Sequence, residues 1–203
     1  MLIRFAIERL LFRLSESVHA DDFVLKGATL FTQWLGQPHR ATKDLDLMGR
    51  SGPDIGRLEQ VFGEVADVPC VEDGVVFPSS EVVGRAIRED ALYQGVRVVV
   101  PGHLAGARFK VQVDIGVGDA VVPPPERIEM TTLLPLPRPR LKAYARETVV
   151  AEKLEALVVL GLTTSRMKDI YDLDLLRELF AFDQDVPAFH PSHLRASRNG
   201  HPR

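Results

Sequence analysis

Two hydrophobic periods divide the chain. Between residues 3 and 19, Ile3, Ala6, Ile7, Leu10, Leu11 and Leu14 recur at three- and four-residue intervals, which predicts an amphipathic helix. Arg4, Glu8, Arg9 and Arg13 interrupt this run, so it reads as neither a signal peptide nor a membrane span. "FVL" (23–25) predicts a short strand broken at Gly27, and "TLFTQWL" (29–35) predicts two helical turns. Gly36 and Pro38 mark a loop, "DLDLM" (44–48) alternates as a strand does, and Pro53 opens a helix running to about Val65.

From 68 to 117 the two-residue period takes over. "EVVGRAI" and "GVRVVV" predict strands, and "RFKVQVDIGV" (108–117) sets Phe109, Val111, Val113 and Ile115 on one face with Lys110, Gln112 and Asp114 on the other. Six of the 14 prolines then fall between Pro123 and Pro139, a density that forbids a regular helix or central strand. The segment predicts an ordered connector with one short strand at Thr131–Leu134. Helical spacing returns in 147–161, ending at Gly161, and in 165–182 with Ser165 as N-cap. The expected organisation is a core over 1–122, a Pro-rich connector over 123–140, a helical part over 141–182 and a flexible tail over 183–203.

Composition narrows the function classes. Hydrophobic residues make up 45% and charged residues 26% of 203, ordinary for a globular protein. The net charge of −3 supplies no bulk field for nucleic acid, so any such contact needs a local patch. "RPRLKAYAR" (138–146) is the local basic stretch, and solvated charge explains it as well. The single cysteine, Cys70, excludes an internal disulfide and a cysteine-based zinc site, reads as a small half-buried residue, and fits a cytoplasmic protein. No apolar run approaches the ~20 residues of a membrane helix. The six histidines (His19, His39, His103, His190, His193, His201) show neither zinc-ligand spacing nor a partnership with a nucleophile.

The aspartates carry the candidate chemistry. On a strand, Asp44 and Asp46 point the same way while Leu45 and Leu47 face the core. Two neighbouring carboxylates repel, and a divalent cation between them relieves the repulsion. Asp114 repeats the pattern on its own strand. Three carboxylates meeting at a sheet would suit one or two Mg²⁺ ions that also hold substrate phosphates. The plain alternative is solvated charge on an edge strand. Gly27 and Ala28 stand at a strand-to-helix junction, where backbone N–H groups can hold a phosphate or where glycine simply supplies a tight turn. Lys26 reads as a surface charge or a phosphate contact, and Arg40 as a partner for the aspartates or the triphosphate.

A second cluster lies near the C-terminus. Lys153 borders an apolar stripe, a costly place for an ammonium unless it reaches a partner or a cleft. Lys168 with Asp172, and Asp169 with Asp172, stand at helical spacings that suit surface ion pairs or a charged wall facing phosphates, with Arg166 on the same side.

Taken in order, "FVLKGATLF", "HRATKDLDL", "VQVDIGVGD", "ETVVAEKLEAL" and "SRMKDIYDL" resemble the AbiEii/AbiGii-type nucleotidyltransferase toxins, the toxin halves of bacterial type IV toxin–antitoxin and abortive-infection systems. The resemblance runs from about Phe23 to Leu176. It implies an α+β fold with a DNA polymerase β-like nucleotidyltransferase core, a mixed sheet with helices, plus a helical C-terminal part. It implies that Gly27, Ala28 and Thr29 form the nucleotide-binding turn, with Arg40, Arg166 and Lys168 also binding nucleotide. Asp44, Asp46 and Asp114 correspond to the metal-binding acids, and Asp44, Asp46, Lys153 and Asp169 to the catalytic residues. Where the common pattern has Gly-Ser, this chain has Gly27-Ala28, with a hydroxyl at Thr29. The implied function is Mg²⁺-dependent transfer of a nucleoside monophosphate from an NTP to an acceptor such as the tRNA 3′ end. The implied partner is a helix-turn-helix antitoxin encoded alongside. A GTP- or ATP-binding regulatory module, or a protein-interaction module with a degenerate site, is the competing class.

Overall fold

A computed structural model describes residues 1–36, 43–50, 52, 54–89, 93–118, 121–160 and 167–180. Two compact units divide the chain, Met1–Ala145 and Arg146 onward. The first begins with helix α1 (Leu2–Glu16), strand β1 (Phe23–Lys26), helix α2 (Thr29–Leu35), strand β2 (Asp44–Gly49) and helix α3 (Ile55–Ala66). Six strands follow: β3 (Val75–Val76), β4 (Val83–Glu89), β5 (Tyr93–Leu104), β6 (Ala107–Val117), β7 (Glu126–Glu129) and β8 (Arg140–Ala143). The second unit contains α4 (Arg146–Leu160) and α5 (Met167–Leu179).

The strands form one mixed sheet in the order β3-β5-β6-β2-β1-β8-β7, with β4 paired to β5. Pairs β2–β6 and β1–β8 are parallel, and the remaining pairs are antiparallel. Alternation decides which face is dry. Leu45, Leu47, Val96, Val98, Val111, Val113 and Ile115 are buried, and α1 and α3 pack against the sheet. α3 starts where the Asp54 carboxylate accepts the Arg57 amide hydrogen at 2.9 Å, a side-chain N-cap.

The Pro-rich segment differs from its expectation. The strand expected at Thr131–Leu134 is absent; strands form instead at 126–129 and 140–143, and 123–145 belongs to the first unit rather than to a connector. The physical reason lies in where the prolines fall. Pro123, Pro124 and Pro125 precede β7, and Pro135, Pro137 and Pro139 separate the strands, so neither strand loses a ladder donor. β8 then aligns parallel to β1, which its own sequence does not signal. The two-residue β3 is a further strand the period-two reading missed.

α1 is more deeply embedded than an amphipathic pattern suggests, because its charges are satisfied inside. Arg9 and Arg13, only 1% and 5% exposed, converge on the buried Asp73 carboxylate. Arg9 Nε and Arg13 Nη1 each lie 2.9 Å from Asp73 Oδ2. Arg9 also donates to the Pro137 carbonyl (2.9 Å) and Arg13 to the Val75 carbonyl (3.0 Å). One helix thereby ties down the 70–77 loop and the Pro-rich segment. Glu8 accepts from the Leu133 amide at 2.9 Å, and burial pushes its carboxyl up. Cys70 is half-buried, its Sγ 3.6 Å from Asp73, and burial raises its thiol.

Burial also works to raise the Asp73 carboxyl, but hydrogen bonds from Arg13, the Val75 amide and Arg9 outweigh it and hold the group below the usual aspartate range. Its stabilising contribution is therefore fully present above the unfolded aspartate value of about 4 and is lost as pH falls through the lowered native value. Asp73→Ala strips two buried guanidinium groups of their shared counter-charge and should cost ~3–5 kcal/mol in urea unfolding at neutral pH. The variant's stability should also fall less steeply below pH ~4 than the parent's. An unchanged acid limb would remove Asp73 from the pH dependence.

Candidate active site

The face of the sheet opposite the core carries a row of charges set by register. β1 places Lys26 opposite Asp46, β6 places Asp114 opposite Asp46, and β5 places Arg97 opposite Asp114. The row across four strands is thus Lys26–Asp46–Asp114–Arg97, two carboxylates flanked by two cations. Asp44 lies one pleat away, opposite Gln112, whose Nε2 donates to Asp44 Oδ1 at 2.9 Å. β2 reads half-buried, buried, half-buried, buried from Asp44 onward, as the leucine–aspartate alternation predicts.

Asp114 is held as a fork. Arg97 Nε donates to Oδ1 and Arg97 Nη2 to Oδ2, each at 2.6 Å. This two-pronged pairing fixes the carboxylate plane. On the other flank, the Lys26 ammonium lies beside Gly116 and 5.7 Å from the Tyr144 ring centroid.

The Gly27 turn presses directly on this row. Gly27 has φ +71, and a Cβ there would run into the Asp46 carboxylate, so the position needs glycine for both conformation and space. The turn leads into α2, where Thr29 is buried and its Oγ1 has no hydrogen-bond partner among the described residues. Of Gly27, Ala28 and Thr29, it is Gly27 that is brought against Asp46. Arg40 and Arg166 lie outside the described residues.

Asp46 and Asp114 offer oxygen donors from adjacent strands, the type Mg²⁺ takes with one or two carboxylates plus substrate phosphates. Among the described residues no three His, Cys, Asp or Glu side chains form a group able to hold an ion by themselves. A cation between Asp46 and Asp114 would need further oxygen ligands, such as substrate phosphates.

In the second unit, Lys153 on α4 reaches α5. Its Nζ lies 2.6 Å from Asp169 Oδ1 and 2.8 Å from Asp172 Oδ2. Asp172 is fully buried, which answers why an ammonium borders an apolar stripe: it compensates a carboxylate the fold has desolvated. Lys168 is exposed. Sequence spacing suggested Asp172 as the partner of Lys168, and only helix packing reveals the longer-range partner.

Arg97 is the residue that sequence reading overlooked. Its signal was available: the "GVRVVV" strand carries one charge among valines, on the face its neighbour gives to Asp114. Two substitutions test these local assignments. Gly27→Ala should lower stability by at least ~1–2 kcal/mol, the cost of a left-handed L-residue, before any displacement of Asp46 is counted. Lys153→Ala should cost about 2–3 kcal/mol in thermal or chemical unfolding, in line with lost hydrogen bonds to charged groups; unaltered stability would contradict the structural share of its role.

Two crystal structures from Helicobacter pylori share the fold. JHP933 is 16% identical with a TM-score of 0.53; the match covers 85% of this chain and 65% of that one. A second H. pylori protein, assigned as a nucleotidyltransferase, is 18% identical with a TM-score of 0.52, covering 85% of this chain and 67% of that one. This chain thus spans less than two thirds of JHP933 and about two thirds of the second. No curated protein matches the sequence significantly. The family model described as "Nucleotidyl transferase AbiEii toxin, Type IV TA system" matches residues 9–201, nearly the whole chain. Together with the mixed sheet and its row of carboxylates, that match identifies the chain as a member of the AbiEii nucleotidyltransferase toxin family of type IV toxin–antitoxin systems.

Proposed function

We propose that this chain is a Mg²⁺-dependent nucleotidyltransferase that acts as the toxin of a bacterial toxin–antitoxin or phage-defence pair. The observation that carries the reading is the register that sets Asp46 against Asp114, with the Gly27 turn pressed onto Asp46. Family membership supports it.

In this reading Asp44, Asp46 and Asp114 are the residues that would hold Mg²⁺. A bound ion would supply Lewis-acid stabilisation of charge on the phosphoryl oxygens. The Gly27–Ala28–Thr29 turn supplies backbone N–H groups to the triphosphate, and Thr29 Oγ1 offers the hydroxyl that position 28 lacks. Arg97 orients the Asp114 carboxylate with two hydrogen bonds. By the family resemblance, Lys153 and Asp169 are proposed as catalytic, and Arg40, Arg166 and Lys168 as nucleotide-binding residues. The acceptor hydroxyl oxygen forms a bond to the α-phosphorus, the bond from that phosphorus to the bridging oxygen breaks, pyrophosphate leaves, and the hydroxyl proton passes to a carboxylate or solvent. The tRNA 3′ end is the proposed acceptor, and a helix-turn-helix protein encoded alongside is the proposed antitoxin.

A second reading, nucleotide binding without transfer, draws on Ala28 in the turn and on the Arg97 fork that already occupies Asp114.

Each of the four α-labelled NTPs incubated with Mg²⁺ and total tRNA separates the two. Label in RNA, lost on adding EDTA, is the expected result. Nucleotide binding with no label transferred would favour the second reading. Asp46→Asn should lower transfer at least ~100-fold, the scale of several kcal/mol of transition-state charge stabilisation. Transfer at parental rates would remove Asp46 from the mechanism.

A further inference from the structure

The basic stretch that stands out in the sequence is partly offset in the fold. Arg138 and Arg140 both pair with Glu129, and Lys142 pairs with Asp21, which also holds Arg127. These cations hold both carboxyls below their usual range, Glu129 chiefly through its hydrogen bond from Arg140 and Asp21 through that from Lys142. The positive charge of segment 138–142 is therefore reduced by two carboxylates, each shared between two cations.

A different basic site arises where no sequence run marks it. β4, β5 and β6 line a cavity of about 400 Å³ bordered by Val83, Gly84, Arg85, Val99, Lys110 and Gln112. Arg85 and Lys110 come from strands on either side of β5 and are exposed. Neither is in an ion pair among the described residues. Arg108 extends the cationic side of β6 by one more pleat and is also exposed. Gln112 connects the cavity to the site, since the same side chain donates to Asp44. In sheet order, the Gly27 turn lies beyond the carboxylates on the β1 side and this cavity lies on the β4–β5–β6 side. Phosphates approaching from the two sides would meet at Asp44, Asp46 and Asp114.

We propose that the Arg85–Lys110 cavity is the acceptor-side docking site and takes the phosphodiester backbone of a single-stranded polynucleotide whose 3′ end reaches the carboxylate row. The proposal rests on the transferase reading for the role of that 3′ end, while the binding itself stands apart from it. Val99 and Val83 give the cavity an apolar floor, and the two cations give it a rim. That combination suits a phosphate and sugar passing over it. An overall charge of −3 makes such a local patch a requirement for binding a polyanion.

The test uses the full-length chain and a fluorescein-labelled 12-nucleotide single-stranded RNA, followed by anisotropy without NTP at several salt concentrations. Arg85→Glu with Lys110→Glu should raise Kd at least ~10-fold and lower the slope of log K against log salt by about 1–2, since each phosphate-contacting cation contributes roughly one unit. Arg138→Glu with Arg140→Glu should raise Kd less than the 85/110 pair does, because Glu129 already offsets part of their charge. Binding of a fluorescent NTP analogue should be unchanged in both pairs. If the charge reversals unfold the protein, Arg85→Gln with Lys110→Gln should still raise Kd and flatten the slope. An unchanged RNA affinity and slope, or an equal loss in the 138/140 pair, overturns the proposal. So does weakened NTP-analogue binding with RNA binding intact, which would make the cavity a triphosphate site. RNA binding lost in the 85/110 pair alongside a parent that transfers no label would uphold this site and fail the transferase reading instead.

Discussion

The site depends on one steric fact: a strand shows alternate side chains to opposite faces. Leu45 and Leu47 are buried against the helical layer, so Asp44 and Asp46 have no choice but the other face. Shifting β2 by one residue would bury both carboxylates and expose both leucines, a penalty large enough to fix the register. With β2 fixed, the parallel ladder to β6 brings Asp114 opposite Asp46, and the antiparallel ladders on either side add Lys26 and Arg97. The core therefore positions the chemistry through apolar residues that never touch it.

Like charges set side by side need a counter-charge, and the fold supplies one before any ligand arrives. Arg97 grips Asp114 with two donors, while Gly27 lets the backbone approach Asp46 where any other residue would intrude. The same logic recurs away from the site. Asp73 gathers Arg9 and Arg13 beneath α1, and Lys153 compensates the buried Asp172 between α4 and α5. In each case a buried carboxylate is tolerated because a long cationic side chain from another element reaches it, which makes these contacts fragile to single substitutions.

Charge that is conspicuous in sequence is not all available to a partner. Arg138, Arg140 and Lys142 are partly offset by Glu129 and Asp21, whereas Arg85 and Lys110, 25 positions apart by number, share one cavity lined by no carboxylate among the described residues. A polyanion responds to the field that remains after pairing, and pairing is settled by strand order.

The sequence by itself determined much. The helix at the N-terminus, the strands at 23–26, 44–49 and 107–117, and the two C-terminal helices follow from periodicity. The outward direction of Asp44, Asp46 and Asp114 follows from alternation with Leu45, Leu47, Val113 and Ile115. Each of these is a local property, carried by residues within a turn or a pleat of one another. Tertiary structure alone decided which strands became neighbours: that β6 lies parallel to β2, that β8 lies parallel to β1 across the proline-rich segment, that Arg97 rather than a sequence neighbour answers Asp114, and that Lys153 answers Asp172. Those pairings join residues far apart in the chain, and their energies exist only once the core has closed and fixed the register, so no short window of sequence contains them.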